Sequence, residues 1–205
     1  MGWTSFLTYE PRRTRNPHRY LHAVCRTLHC DRNCAPATTR RLSLDHCKSD
    51  DLGQAPGARV HASGIPFDDP SGDRLRDWLG IDRDTFYDRS RLAIVPMAFC
   101  FPGYDKKGSD LPPPKICAQT WRTDLMAAMP QVELTLMIGQ YAQAWHMKSQ
   151  RKKSLTETVR AWREYGPSVL PLPHPSWRNT GWLKKNPWFA EEILPWLRAE
   201  ISRLV

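Results

Sequence analysis

The sequence predicts an α/β fold: a mostly parallel sheet with helices on both faces. Three observations carry that expectation. Short apolar runs of strand length at residues 92–95, 132–138 and 169–172 alternate with longer stretches of helical periodicity. Glycine or proline stands where each strand should pass into the next element. Strands that alternate with helices are joined by crossovers, and crossovers lay helices over a parallel sheet.

Residues 1–52 are expected to form an irregular basic arm. The first fifty residues hold nine Lys or Arg against four acidic residues, and four of the six cysteines. The stretch 43–52, Ser-Leu-Asp-His-Cys-Lys-Ser-Asp-Asp-Leu, lacks the apolar character of a buried strand. The first strand therefore reads as degraded, and the arm as a translation out of frame or from an altered start. Loss of a central strand would expose two sheet edges, at a cost comparable to the stability of a whole domain.

Residues 53–205 read as one orderly domain. Ser71 is the expected N-cap of a helix that carries Leu75, Trp78 and Leu79 on one face and ends at Gly80. A buried strand follows at 92–95, then a loop rich in Gly, Pro, Asp and Lys at 104–114, and a helix at 121–129. The strand at 132–138 is closed by Gly139. A basic patch at 148–153 precedes a helix at 156–165, and the brief strand 169–172 delivers His174. The last helix is expected to take Asn186 as cap and Pro187 in its first turn, with Glu191 and Glu192 near its positive end. Ile193, Leu197, Ile201 and Leu204 should face inward, and Pro195 should kink the helix.

A chain of 205 residues with a formal charge of +9 and a pI near 9.5 suits one domain with an anionic partner. Charge by itself does not separate DNA from RNA or an acidic membrane. No apolar run reaches eighteen residues and no signal-peptide order opens the chain, so the expectation is a soluble, cytoplasmic protein. In such a compartment the cysteines read as metal ligands or buried thiols rather than disulfides.

Three short motifs fall in order: Gly53-Gln54-Ala55-Pro56-Gly57, Gly64-Ile65-Pro66-Phe67 and His174-Pro175-Ser176, with Cys100 and Cys117 between the second and third. Together they resemble the signature of the uracil-DNA glycosylase superfamily, over about residues 53–205. The resemblance implies a three-layer α/β/α sandwich with a small central parallel sheet. It also implies hydrolysis of the N-glycosidic bond of uracil or another deaminated base in DNA. Such chemistry extrudes the base from the stack and must stabilise both an anionic leaving base and positive charge on the sugar.

By the same resemblance His174 hydrogen-bonds the departing base, Ser176 holds the adjacent phosphate and Phe67 stacks on the flipped base. The first loop, Gly53, Gln54, Ala55 and Pro56, aims backbone amides and a water at the sugar carbon. Some branches carry an acid within that loop, where this chain has Gln54 and Ala55. Another places an aspartate ahead of a Ser-Gly pair, and Asp69-Pro70-Ser71-Gly72 is similar to that pattern, so Asp69 is the expected water-activating carboxylate and Gln54 an orienting group. The plain alternative for Asp69 is a helix-start carboxylate, and for Phe67 a core residue.

Cys100 and Cys117, with sixteen residues between them, resemble half of a four-cysteine 4Fe-4S site, with Cys30 and Cys34 as the nearest candidates for the other half and Cys25 and Cys47 as alternatives. Relatives with this cluster usually have asparagine four residues before the first of that pair, where this chain has Pro96. Trp177, Arg178, Asn179, Trp182, Lys184 and Lys185 combine aromatic and basic character, which suits a DNA-insertion loop; the alternative is a turn packed on the domain. The expected partner is DNA, the expected state a monomer without an obligate protein partner. The rival class is a non-catalytic nucleic-acid or iron–sulfur-binding protein that retains the fold.

Overall fold

The structure, a computed structural model, describes residues 49–52 and 54–205. Four parallel strands form one sheet: β1 (Ser49–Leu52), β2 (Leu92–Ile94), β3 (Leu134–Ile138) and β4 (Val169–Leu172), in the spatial order β2-β1-β3-β4. Between β1 and β2 lie the helices α1 (Ala58–Ser63), α2 (Pro70–Leu79) and α3 (Arg83–Tyr87). Helix α4 (Lys115–Ala127) precedes β3, and α5 (Gly139–His146) and α6 (Leu155–Arg160) lead to β4. Two helices, α7 (Thr180–Lys185) and α8 (Leu194–Leu204), close the chain.

The first strand corrects the sequence reading. Ser49–Leu52 pairs in register on both sides, Ser49 with Leu92 and Leu134, and Asp51 with Ile94 and Leu136. A segment flanked by two strands gains ladder hydrogen bonds from its backbone whatever its side chains. Strand formation here follows tertiary context rather than an apolar pattern. The rest of the expectation for the arm 1–52, that it is out of frame, falls on residues 1–48, which lie outside the described residues.

The period-two alternation of β3 divides the core. Leu134, Leu136 and Ile138 join Leu170 and Leu172 of β4 in a cluster with Leu75 and Trp78 of α2 and Leu197 and Ile201 of α8. Met137 belongs to a second cluster, with Ala93, Val95, Ala118 of α4 and Ala142 of α5. Successive strand side chains point to opposite faces, so the two clusters occupy different sides of the sheet. Each fully buried Leu or Ile there contributes roughly 1.5–3 kcal/mol.

Several local expectations change. Asp69, not Ser71, caps α2: its Oδ1 accepts the Gly72 N–H at 2.9 Å, and Pro70 then occupies the first turn, where a missing N–H costs nothing. Asn186 does not cap a helix with its side chain, which instead donates from Nδ2 to Trp182 O and accepts the Trp188 indole N–H. Pro195 is accommodated by a π-helical turn at Phe189–Ile193, a widened turn that absorbs the carbonyl its ring would otherwise strike. Pro171 sits in β4, an edge strand, where the lost donor leaves no ladder bond broken in the interior. No described helix is long and apolar enough to cross a membrane.

Candidate active site

All four strands are parallel, so the loops after them emerge on one edge of the sheet. The chain leaves β1 for β2 on one side and returns to β3 on the other, which places a topological switch between β1 and β3. Crevices at such switches are where open α/β sheets bind ligands. Gln54 follows β1 there, and Gly139 follows β3.

These two residues meet. A Cβ on Gly139, whose φ is +80°, would stand 2.8 Å from Nε2 of Gln54. Glycine therefore supplies both the left-handed backbone and the space for the glutamine amide. The Gln54 carbonyl accepts the Met97 N–H at 3.2 Å, tying this loop to the chain after β2. Ala55 and Pro56 lie half-buried beyond it and lead to Gly57, which stands at the start of α1. Gly53 lies outside the described residues.

His174 stands two residues past β4. The backbone N–H of Ser176 donates to its Nδ1 at 3.1 Å, so Nδ1 presents a lone pair and the neutral ring carries its proton on Nε2. The residue is half-buried, and protein atoms crowd its ring closely. That burial pushes its pKa down from 6.5 to about 4, against a smaller upward pull from the Asp69 carboxylate. At neutral pH His174 is an uncharged N–H donor with a fixed tautomer.

The rings of Phe67 and His174 stack at 6.4 Å between centroids with 29° between planes, and Phe86 meets Phe67 edge-on at 6.2 Å. Phe67 has a φ of +56°, a left-handed conformation rarely adopted by a bulky residue. Its surroundings hold it there. Arg76 Nη1 reaches its carbonyl at 3.4 Å, Tyr87 Oη donates to Pro66 O at 2.8 Å, and a Cβ on Gly72 would fall 1.7 Å from the Phe67 oxygen. Backbone strain that the structure over-determines in this way clusters at functional sites. Phe67 is half-buried and packs partly on the core cluster, in keeping with the core reading.

Asp69 takes the helix-start role weighed for it in the sequence. One carboxylate oxygen is spent on the helix cap. Its charge reaches His174, which places a carboxylate and a neutral imidazole around the same space.

The loop after His174 is fastened at three points. Asn179 Nδ2 donates to His174 O at 2.7 Å, while Arg74 on α2 donates to Ser176 O at 3.0 Å and to Thr180 Oγ1 at 3.2 Å. Asn179, expected to bind substrate, is thus committed through its amide N–H to the loop itself. Ser176 Oγ accepts the Arg178 N–H at 3.2 Å and keeps its own hydroxyl proton to donate elsewhere. Trp177 is 73% exposed, with the Arg178 guanidinium 5.8 Å from its ring centroid. Trp182 instead packs against Trp188 and Phe189 and donates to Thr156, so of the two tryptophans only Trp177 is exposed.

Arg74 and Gly139 escaped the sequence reading. The partners of Arg74 lie over a hundred residues away, and no periodicity reveals such a bond. Gly139 was legible only as a strand terminator, although a glycine directly between strand and helix is also a sign of close backbone approach.

Cys117 is buried in the first turns of α4 and Cys100 is half-buried at the start of the preceding loop. Pro96 and Cys117 line one shallow cleft with Met97 and Phe99. An iron–sulfur cluster needs thiolates, normally four, converging on one point. Among the described residues no three or more His, Cys, Asp or Glu side chains gather in that way. Cys30 and Cys34, like Cys25 and Cys47, lie outside the described residues. The described residues do not by themselves make a cluster site.

A family model described as the uracil DNA glycosylase superfamily matches residues 52–198. That span contains both loops of the crevice, Phe67, Asp69 and His174.

Proposed function

This chain belongs to the uracil DNA glycosylase superfamily, and we propose that it hydrolyses the N-glycosidic bond of uracil or another deaminated base in DNA. The single observation that carries the proposal is the neutral, tautomer-fixed His174 facing Phe67 and Asp69 at the carboxyl edge of the sheet. The two core clusters on opposite sides of β3 support a three-layer α/β/α sandwich as the scaffold.

In this reading an extruded base lies against Phe67. As the bond from base nitrogen to the sugar C1′ lengthens, its electron pair moves onto the base and negative charge collects on the carbonyl oxygens of the base. His174 Nε2–H donates to that charge. A neutral donor strengthens its hydrogen bond as the anion forms and leaves the site with no extra net charge beforehand. Asp69 stabilises the cationic sugar and takes a proton from the water that bonds to C1′. Gln54, held against Gly139, orients that water or the base, and Ser176 donates to the phosphate beside the lesion.

Pro96 brings no side-chain amide to the place where cluster-bearing relatives usually have asparagine, so the excised base is left open among uracil, hypoxanthine and xanthine. A 4Fe-4S cluster on Cys100, Cys117, Cys30 and Cys34 is part of the proposal only as a structural group. A broad absorption band in the blue for anaerobically purified protein is its expected sign.

The test is strand scission by alkali after incubation with duplexes that carry one uracil, hypoxanthine or xanthine. Cleavage at the lesion is expected for at least one of them. No cleavage of any leaves the non-catalytic binding protein as the reading.

A further inference from the structure

The segment between β2 and α4 holds a small hairpin whose features the proposed chemistry does not use. Tyr104 and Asp110 form an antiparallel bridge, the Asp105 N–H donates to Ser109 O at 2.7 Å, and the Leu111 N–H donates to Gly103 O at 2.9 Å. Within the turn, Asp105 Oδ1 accepts the N–H groups of both Lys107 and Ser109 at 2.8 Å. The tip is therefore built in one conformation, and a ligand binding it meets little ordering cost.

This fixed tip displays one aromatic ring and two cations, with two carboxylates beside them. Tyr104 is 57% exposed, backed edge-on by Phe101 at 4.9 Å. Lys106 and Lys107 are exposed and make no ion pair among the described residues. The two acids beside them are both exposed, and Asp105 spends one oxygen, Oδ1, on the turn. An aromatic face next to unpaired cations is the combination that grips a nucleic-acid strand.

Its place in the sheet matters as much. The hairpin leaves the carboxyl end of β2 at one edge, and the Trp177–Arg178 pair leaves the carboxyl end of β4 at the other, with the β1–β3 crevice between them. Three strand spacings separate the two exits, roughly 14 Å at about 4.8 Å each. One DNA strand advances about 3.4 Å along the axis per phosphate, so that gap corresponds to roughly four nucleotide steps.

We propose that the 103–111 hairpin is a second DNA grip: Tyr104 stacks on a base, and Lys106 and Lys107 hold phosphates of the strand flanking the extruded nucleotide. This rests on the glycosylase reading and adds the surface that would bind the flank.

The experiment is binding of the full chain to a duplex of about thirty pairs carrying one tetrahydrofuran abasic analogue, over a series of salt concentrations. Each phosphate contact contributes about 0.9 to the slope of log affinity against log salt, so a Lys106→Ala, Lys107→Ala double variant should lower the slope by about 1.8. Tyr104→Ala should weaken binding by about tenfold with little change in slope. Both substitutions keep the backbone N–H groups that build the turn, and an unchanged melting temperature verifies the fold. Unchanged slope and affinity in the double variant, with normal binding by the wild type, overturn this inference alone. Failure of the wild type to bind the abasic duplex overturns it together with the glycosylase reading.

Discussion

The backbone N–H of Ser176 donates to Nδ1 of His174 at 3.1 Å, and this one bond decides which nitrogen of the ring can serve a substrate. With Nδ1 occupied as acceptor, Nε2 is the donor. Burial keeps the ring neutral down to about pH 4.

A pH profile follows from that pKa. A group whose pKa is lowered in the fold keeps its neutral form above the folded value. Excision limited by His174 should be flat from about pH 8 to pH 6 and fall only toward pH 4, where protonated Nδ1 loses the Ser176 contact. Single-turnover rates across that range test this, and an inflection near the ordinary histidine value of 6.5 would contradict it.

Stability should respond in the same window. His174 and His146 both have pKa values pushed down by burial to about 4, and Nε2 of His146 is buried without a hydrogen-bond partner among the described residues. Between pH 6.5 and 4 the unfolded chain binds protons that the folded chain refuses, so folding stability is fully present above about 6.5 and declines as pH falls toward 4. Thermal melts at about pH 7 and pH 5 should show a lower midpoint at the lower pH. Replacing His146 by Gln should remove part of that difference.

Asp69→Asn separates the two roles of the carboxylate. Asparagine caps helices about as well as aspartate, so the melting temperature should move little. Removal of a general base should lower the single-turnover rate by about 10²–10⁴. Undiminished excision would return Asp69 to a capping role alone.

Two glycines should differ in what they break. Gly72→Ala drives a Cβ into the Phe67 carbonyl, a backbone atom that cannot swing aside, and should cost more than about 3 kcal/mol of stability. Gly139→Ala meets the movable end of Gln54 and adds left-handed strain, about 1–2 kcal/mol. Its clearer sign should be slower excision from a displaced Gln54. Denaturant melts of the two variants read the contrast.

Arg74→Gln should loosen the histidine loop from α2. Misplacing a catalytic group by about an ångström costs up to about a hundredfold, so kcat should fall by about ten- to a hundredfold with little change in KM. Arg74→Lys cannot make both bonds and should restore the rate only in part. An unchanged kcat at an unchanged melting temperature would contradict the positioning role.

The fold and the site were legible to different depths. The apolar runs of β2, β3 and β4 stood out because each is buried on a face, and the glycine after α2 marked its end. β1 did not, because Ser49–Leu52 is a strand by pairing on both sides and not by composition. Motif order singled out His174, Asp69 and Phe67, and the fold brings these three together. That Asp69 caps α2, that Arg74 clamps the loop and that Gln54 rests on Gly139 are facts of tertiary approach, which no local pattern encodes.

The central claim is that His174 stabilises the departing base. Single-turnover excision of the lesion cleaved best should be measured for wild type and His174→Ala, with equal melting temperatures as the condition for comparison. Loss of one preorganised donor to a developing anion predicts a rate lower by about 10²–10³. Equal rates would contradict the account.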